Sequence, residues 1–455
     1  MQLAGRSMRR ASDAAMAMLA RLLIRVFFRS IELEGPENLP ASGPVVLVAD
    51  HRNGLVDALL LMATLGRYPR FLGKSTLFHI LPLWPFLKLA GVVPVYRTVD
   101  GGSADHNAAA FSMCRVILSH HDVVALFPEG ISHDASSLQP LRTGAARIAL
   151  GASFDGAVEG VVVVAVGLTY DAKARFRSRA LVRIGEPMDV APWKERYRED
   201  SYLAVRHLTA EVGDRLEMVS PSYSSWAEAH LLARMAAVIV RPPSGQVTIA
   251  TQVEVAERLS RLGQGTVSDA CRSAFSRYER DLQLWGLRDA QVAGAYRRRR
   301  LRVSVLGSMA KVVAGLPFAA IGFVVHVVPF QIVKQLAKRP TNEGVKATVK
   351  LLGCTAFFAV VYAAIGAVVG RACGVWAGLG VAAGAPVCGY LSVRFAERVQ
   401  RLGGFLEAYR TFSSRRDVLR SVAADRSSFV SAATDALRAP ILSDQPRLSG
   451  APKQG

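Results

Sequence analysis

Between residues 40 and 190 the chain alternates short apolar runs of β type with stretches of helical periodicity. This alternation limits the possible folds more than any other feature. The runs are "PVVLVA" (44–49), "PRFLG" (69–73), "VVPVY" (92–96), "DVVALF" (122–127), "GVVVVAVGL" (160–168) and "ALVRIG" (180–185). Helical patterns fall near 54–66, 76–90, 104–120 and 142–153. A run such as PVVLVA has no polar alternation, so it needs cover on both faces, which a parallel sheet sandwiched by helices supplies. The predicted fold is therefore α/β, a mostly parallel sheet flanked by helices. Ligands of such sheets bind at the carboxyl ends of the strands.

Outside that region the pattern changes. "AAMAMLARLLIRVFFRS" (14–30) sets Arg21, Arg25 and Arg29 four apart, in one stripe of a helix. Charges at that spacing spoil the apolar centre of a secretory signal. They suit either an amphipathic helix lying on a bilayer or a surface helix packed on the chain's own core. Residues 195–300 are more polar and mostly helical, with breaks at "RPPSG" (241–245) and Gly263–Gly265. Segment 351–370, "LLGCTAFFAVVYAAIGAVVG", carries no charge, Arg371 follows alone, and 372–393 is again uncharged. About 20 such residues span a bilayer. Lys346 and Lys350 before the pair, with Arg394, Arg398 and Arg401 after it, predict a hairpin over 351–393 with both ends in the cytoplasm. Segment 312–333 is apolar too, but it contains Pro317 and Pro329 and has basic flanks, which predicts a re-entrant or interfacial segment. The resulting division is 1–34, a membrane-associated helix; 35–195, the α/β domain; 196–302, a helical region; 303–395, membrane segments; and 396–455, a basic helix with a tail predicted disordered after Pro440.

With 56 Lys and Arg against 36 Asp and Glu, the net charge of +20 suits an anionic partner. A hydrophobic share of 51% turns that preference toward an anionic membrane face or substrate and away from nucleic acid, for which no helix-turn-helix, zinc spacing or RNA-binding aromatic signature is found. The five cysteines (114, 271, 354, 373 and 388) form no CxxC pair and read as free thiols facing a reducing compartment.

The chemistry is concentrated in "ADHRNGLVDALLL" (49–61). His51 leaves the end of one predicted strand, and Asp57 falls in the first turn of the next helix, where the dipole favours a negative charge. A single helix would not bring positions 51 and 57 onto one face. With His51 in the preceding loop, the carboxylate can reach a ring nitrogen, fix its tautomer and leave the other nitrogen as a base. A capping Asp beside a surface His is the plainer alternative. Three more stretches end at the same sheet edge: "GVVPVYR" with Arg97, "ALFPEGISHD" with Glu129, and "LQPLRTGAARIAL" with Arg142 at a helix entry. Arginine beside a helix N-terminus makes a phosphate site, and Glu129 suits an acceptor hydroxyl or a charged head group.

In order and spacing, these blocks resemble the phospholipid/glycerol acyltransferase family. The match is His51…Asp57, Lys74 in "FLGKSTLF", Gly91…Arg97, Phe127-Pro128-Glu129-Gly130, and Arg142-x-Gly144, over roughly 35–190. "FPEGISHD", "VGLTYDAKARFRSRALVRIGEP" (166–187) and "SPSYSSWAEAHLLARMAA" (220–237) are similar to the fungal glycerol-3-phosphate/dihydroxyacetone-phosphate acyltransferase branch. The resemblance implies a glycerol-phosphate acyltransferase-like fold and transfer of a fatty acyl group from acyl-CoA or acyl-carrier protein to a hydroxyl of glycerol-3-phosphate or lysophosphatidate, in phospholipid biosynthesis. It assigns His51 as base, Asp57 as its orienting partner, Arg97 as phosphate ligand, and Glu129 and Gly130 as acceptor binders, with Lys74, Ser132 and Arg142 completing the substrate-binding set. Two departures stand out. The spacing is His-x5-Asp where His-x4-Asp is commonest, and Ile131-Ser132 replaces the usual Thr-Arg, removing one phosphate ligand.

No cofactor or metal is expected, the thioester being a co-substrate. Ser132 as nucleophile lacks a Gly-x-Ser-x-Gly elbow, and His51, Asp57, His133 and Asp134 have no familiar metal-ligand spacing. The rival expectation is a non-catalytic, lipid-binding membrane-surface protein on an acyltransferase fold. The expected location is an integral membrane protein with its active site facing the cytoplasm.

Overall fold

The computed structural model describes residues 2–80, 83–96, 104–156, 158–241, 247–262, 269–293, 298–336, 343–414 and 416–438. Among these residues, eight strands form one sheet. Its order is β1 (Phe28–Glu34), β7 (Ser178–Ile184), β6 (Val162–Tyr170), β2 (Val45–Ala49), β5 (Val123–Leu126), β3 (Pro69–Lys74) and β4 (Val93–Val95), with β8 (Met188–Asp189) pairing β6. From β6 to β4 the neighbours run parallel, whereas β7 is antiparallel to β6 and carries β1 parallel beside it. The six runs read from sequence are all strands, each within two residues of its expected bounds.

β2 shows why the sheet needs two covers. All five of its residues are buried, and they alternate between two cores. Val45, Leu47 and Ala49 join α1 (Gln2–Phe27) and α2 (Leu55–Thr64). Val46 and Val48 face the opposite core, which includes α4 (Ala104–Ser119), α5 (Gly144–Leu150) and α7 (Ser201–Val219). Two shorter helices, α3 (Trp84–Leu89) and α6 (Lys194–Glu199), complete this part of the chain. Helix α1 ends three residues short of the predicted stretch, and β1 begins at Phe28. One face of α1, Met16, Ala20, Ile24 and Phe27, packs into the first core, while Met18, Leu22 and Val26 remain exposed beside Arg21 and Arg25.

Four further helices, α8 (Trp226–Ile239), α9 (Ile249–Arg261), α10 (Asp269–Leu284) and α11 (Asp289–Val292), precede α12 (Arg298–Leu336), α13 (Glu343–Cys373), α14 (Val375–Ser414) and α15 (Arg416–Arg438). Within them, Val305–Leu336, Lys346–Cys373 and Val375–Gly404 are each long and apolar enough to cross a membrane. The last two form the expected hairpin, turning at Gly374 with φ +95°. Of the two expectations for segment 312–333, re-entrant or interfacial, the re-entrant one is not met: the segment lies inside one continuous helix that contains both Pro317 and Pro329. In an apolar helix the groups that proline frees are satisfied by neighbouring helices and local adjustment, so a proline need not end it. His326 ties this helix to the next, with Nε2 2.6 Å from the Tyr362 hydroxyl and Nδ1 2.6 Å from the Gly322 carbonyl.

The chain packs as two compact units, Met1–Trp226 with Val312–Glu397, and Ala227–Lys311 with Arg398–Gly455. The first unit thus joins membrane-length helix to the α/β layers, which the linear division had kept separate. Ala347 and Leu351 of α13 are buried in the same core as α2, and Lys350 Nζ donates to the Ala174 carbonyl (2.6 Å). In the second unit, Asp289 receives Arg241, Arg426 and the Tyr278 hydroxyl, beside a Phe275–Phe429 ring contact. The predicted tail after Pro440 lies outside the described residues.

Candidate active site

β2 ends at the sheet centre and delivers four polar residues, Asp50 to Asn53, to its carboxyl edge. Asp50 anchors them. Its Oδ1 accepts from the Leu168 N–H (2.7 Å) and its Oδ2 from the Ser220 hydroxyl (3.0 Å), with Arg52 Nε 3.0 Å away. Arg52 Nη2 also donates to Ser220 Oγ and the Pro221 carbonyl, both at 3.0 Å. The end of α7 reaches this point because Gly167 in β6 leaves room for the Val219 carbonyl, where a Cβ would collide. Burial pushes the Asp50 carboxyl up to about 6; Arg52 pulls it down, and the nearby Asp57 charge pushes it further up.

With that loop fixed, Asp57 finds its partners. The Asn53 N–H donates to its Oδ2 (2.7 Å), His51 Nδ1 lies 3.0 Å from the same oxygen, and the Tyr170 hydroxyl donates to Oδ1 (2.5 Å). Three donors thus surround a carboxylate with no solvent exposure, which removes the cost of burying it among leucines. The His51 ring stacks on Phe127, with centroids 3.9 Å apart and planes at 10°. Nδ1 is committed to Asp57, which leaves Nε2 as the lone-pair nitrogen. Among the described residues it has no hydrogen-bond partner.

A second loop braces the first. Glu129 accepts from the His51 N–H (2.8 Å) and the Gln139 N–H (2.9 Å), and it contacts His133 Nε2. Burial alone would raise its carboxyl; the hydrogen bonds from His133, Gln139 and His51 outweigh this and hold it below the ordinary value. Both oxygens are occupied and the residue is 3% exposed. The geometry therefore gives Glu129 the task of holding the His51 backbone, unlike the open acceptor-binding role that the resemblance implies. Ser132 differs from expectation in the same way: its hydroxyl accepts from the Gly54 N–H (3.2 Å), docking the loop on the start of α2. His133 and Asp134, weighed above as metal ligands, are engaged by Glu129 and by Lys173 Nζ.

The remaining expected residues lie around this edge. Gly130 takes φ +73°, a left-handed turn open to glycine, beside the Arg142 side chain, which a Cβ at 130 would meet at an ordinary contact distance of 3.4 Å. Arg142 is exposed, and its N–H donates to the Pro128 carbonyl (2.7 Å). Lys74 ends β3, which runs parallel to β5 and so finishes at the same edge. Arg97 lies outside the described residues.

Sequence reasoning missed four participants. Tyr170 ends β6, Ser220 follows α7, and Lys173 donates to the Arg52 carbonyl (3.2 Å) while its own carbonyl accepts from Asn53 Nδ2 (3.1 Å). Phe127, inside the quoted motif, was not read as the surface on which His51 stacks. Asp50 was visible as a polar residue directly after an apolar strand, the one local signal among these groups.

Comparison with known proteins finds relatives for the stretch that holds this site. Residues 30–169 match the Acyltransferase family. Over 175 residues the chain is 31% identical to glycerol-3-phosphate O-acyltransferase 2 of Saccharomyces cerevisiae, covering 37% of this chain and 23% of the yeast protein. Over 142 residues it is 32% identical to a chloroplastic 1-acyl-sn-glycerol-3-phosphate acyltransferase of Arabidopsis thaliana, covering 31% of this chain and 36% of the plant protein. The crystal structure of the 1-acyl-sn-glycerophosphate acyltransferase PlsC from Thermotoga maritima aligns with a TM-score of 0.32 at 18% identity, over 45% of this chain and 81% of that one. The chain thus spans about a quarter of the yeast relative and about a third of the plant one. The part of the α/β domain that holds the site, residues 30–169, thus matches an acyltransferase family model. Over this stretch the chain is similar to glycerol-3-phosphate and 1-acylglycerol-3-phosphate acyltransferases.

Proposed function

We propose that the protein moves a fatty acyl group from acyl-CoA, or from acyl-carrier protein, to a hydroxyl of glycerol-3-phosphate or lysophosphatidate. The observation that carries this reading is the His51–Asp57 pair at the sheet edge, with Nδ1 bound and Nε2 unpartnered among the described residues. Nε2 takes the proton from the acceptor hydroxyl as its oxygen attacks the thioester carbonyl. The C–S bond breaks, and the departing thiolate receives that proton back from His51. Asp57 stabilises the imidazolium formed between these steps. Lys74 and Arg142, with Arg97, supply positive charge for the acceptor phosphate. A surface that only bound lipid would need no oriented base.

The same reading seats the active edge against a membrane. Trp84 and Phe86 of α3 are about half exposed, as are Met18 and Leu22 of α1 to a larger degree, with Arg21, Arg25 and Lys88 beside them. Apolar tips among basic groups suit an anionic leaflet. The basic flanks of the hairpin favour a cytoplasmic active site. The test is thioester consumption by purified, detergent-solubilised protein with a panel of acceptors and one labelled acyl-CoA. Turnover that depends on glycerol-3-phosphate or a lysolipid supports the proposal. Tight lipid binding with no thioester consumed, from either CoA or carrier protein, overturns it.

A further inference from the structure

We infer that Tyr170 is a positioning residue of the His51–Asp57 pair, a third member that acts on the base through the carboxylate. The inference rests on the catalytic reading above. Its grounds are the way Asp57 is held. Oδ2 already serves two donors, the Asn53 N–H at 2.7 Å and His51 Nδ1 at 3.0 Å, so it alone cannot stop the carboxylate from turning about its own axis. Among the described residues Oδ1 has one partner, the Tyr170 hydroxyl. That single bond fixes the plane of the carboxylate and, through Oδ2, the direction of the imidazole.

Tyr170 is itself held firmly. It is the last residue of β6, paired with Ala180 of β7, and its ring stacks on Phe28 at 5.7 Å with planes 22° apart. Burial raises its ionisation well above the ordinary tyrosine value, and the adjoining Asp57 charge raises it further. The phenol therefore stays protonated across the working pH range and acts only as a donor. The other charged groups near the pair are Asp50 and Arg52 on its own loop, Glu129 and His133 on the loop after β5, and Lys173 on the loop after β6. Each has its own partner, and among the described residues none donates to Asp57 Oδ1.

Losing the hydroxyl has two consequences. The carboxylate is held less firmly, which lowers turnover. Its charge is also less neutralised by hydrogen bonding, so it favours the imidazolium more strongly and the acid limb of the pH–rate profile moves to higher pH. The test is Tyr170→Phe, which keeps the ring stacked on Phe28, assayed by thioester release in detergent. The expected result is a fall in kcat of roughly 10–100-fold, the scale of one lost hydrogen bond to a charged group. Both KM values stay within about twofold, and the acid limb rises by several tenths of a unit. In an Asp57→Ala background the same change costs little more, because the group through which Tyr170 acts is already gone.

A wild-type rate and limb overturn the inference. So does a slower enzyme whose acid limb has not moved and whose loss adds fully to that of Asp57→Ala, since that marks a purely structural tyrosine. Should Tyr170→Phe fail to fold, 3,5-difluorotyrosine at 170 keeps the ring and strengthens the donor, and it should move the limb the other way; an unmoved limb overturns the inference in that form too. Failure of the underlying catalytic reading has a separate signature: His51→Ala would then keep turning over, whatever Tyr170→Phe does.

Discussion

Asp57→Asn separates the charge of the orienting group from its shape. Two N–H donors, His51 Nδ1 and the Asn53 amide, converge on Oδ2, and in the tautomer that leaves Nε2 free neither can be reversed. The hydroxyl at Oδ1 can rotate. The substituted amide therefore settles with its oxygen toward His51 and Asn53 and its NH₂ toward Tyr170, whose hydroxyl turns to accept. Every hydrogen bond survives in this arrangement, so the folded state loses only about 1 kcal/mol, the difference between charged and neutral pairing. Catalysis loses more. The negative charge that met the imidazolium at 3.0 Å is gone, and base catalysis of this kind contributes roughly 10²–10⁴-fold, about 3–5 kcal/mol of barrier. The assay is CoA release from acyl-CoA at saturating acceptor, with a melting curve on the same sample. The expected outcome is that loss in kcat, with both KM values within about twofold and a melting point lowered by only a few degrees. If kcat stays within about fivefold of wild type, the carboxylate charge does not serve the base and the reasoning is refuted.

Glu129→Gln tests whether Glu129 holds the loop or binds substrate. It leaves one of three donors facing an NH₂, so it should destabilise by roughly 1–3 kcal/mol and lower kcat with little change in acceptor KM; a large rise in acceptor KM at unchanged kcat would restore the acceptor-binding role. Asp50, raised from 3.8 to about 6, keeps a proton in the folded chain that the unfolded chain has released between these values. Its contribution thus makes stability fall as pH rises through that window, and Asp50→Asn should flatten this slope in melts taken across it; an unchanged slope counts against the assignment. A cysteine replacing Arg371, near the hairpin turn, in a background without native cysteines, should react with an impermeant thiol reagent from the non-cytoplasmic side; labelling confined to the cytoplasmic side would reverse the topology.

Much of the fold was legible because its signals are local. Buried strands such as PVVLVA declare themselves by composition, and their order along the chain implies the parallel core. β1 was hidden because the apolar, arginine-striped helix pattern runs on through Phe27 and Phe28, so nothing local marks the change of period at Phe28. The helix expected over 76–90 is divided: a 3-10 turn spans Ser75–His79, and α3 begins only at Trp84, just before Pro85. At the site, His51 and Asp57 lie six residues apart and could be paired by asking where a loop folds back. Tyr170 meets Asp57 across 113 residues and Ser220 meets Asp50 across 170, contacts that a sheet creates and no local spacing announces. Glu129 was read as open because its motif was visible while the three donors that fill it were not.

The central claim is that His51 Nε2 is the base of an acyl transfer, and its most direct test is His51→Ala. Thioester consumption is followed with acceptor present, alongside a melting curve of the same preparation. His51 is partly exposed, and among the described residues its ring bonds only to Asp57 and stacks on Phe127, so the variant should fold. The account predicts that turnover falls by roughly 10²–10⁴-fold while the melting point changes little. Turnover near the wild-type rate, in a protein that melts like the wild type, would contradict it.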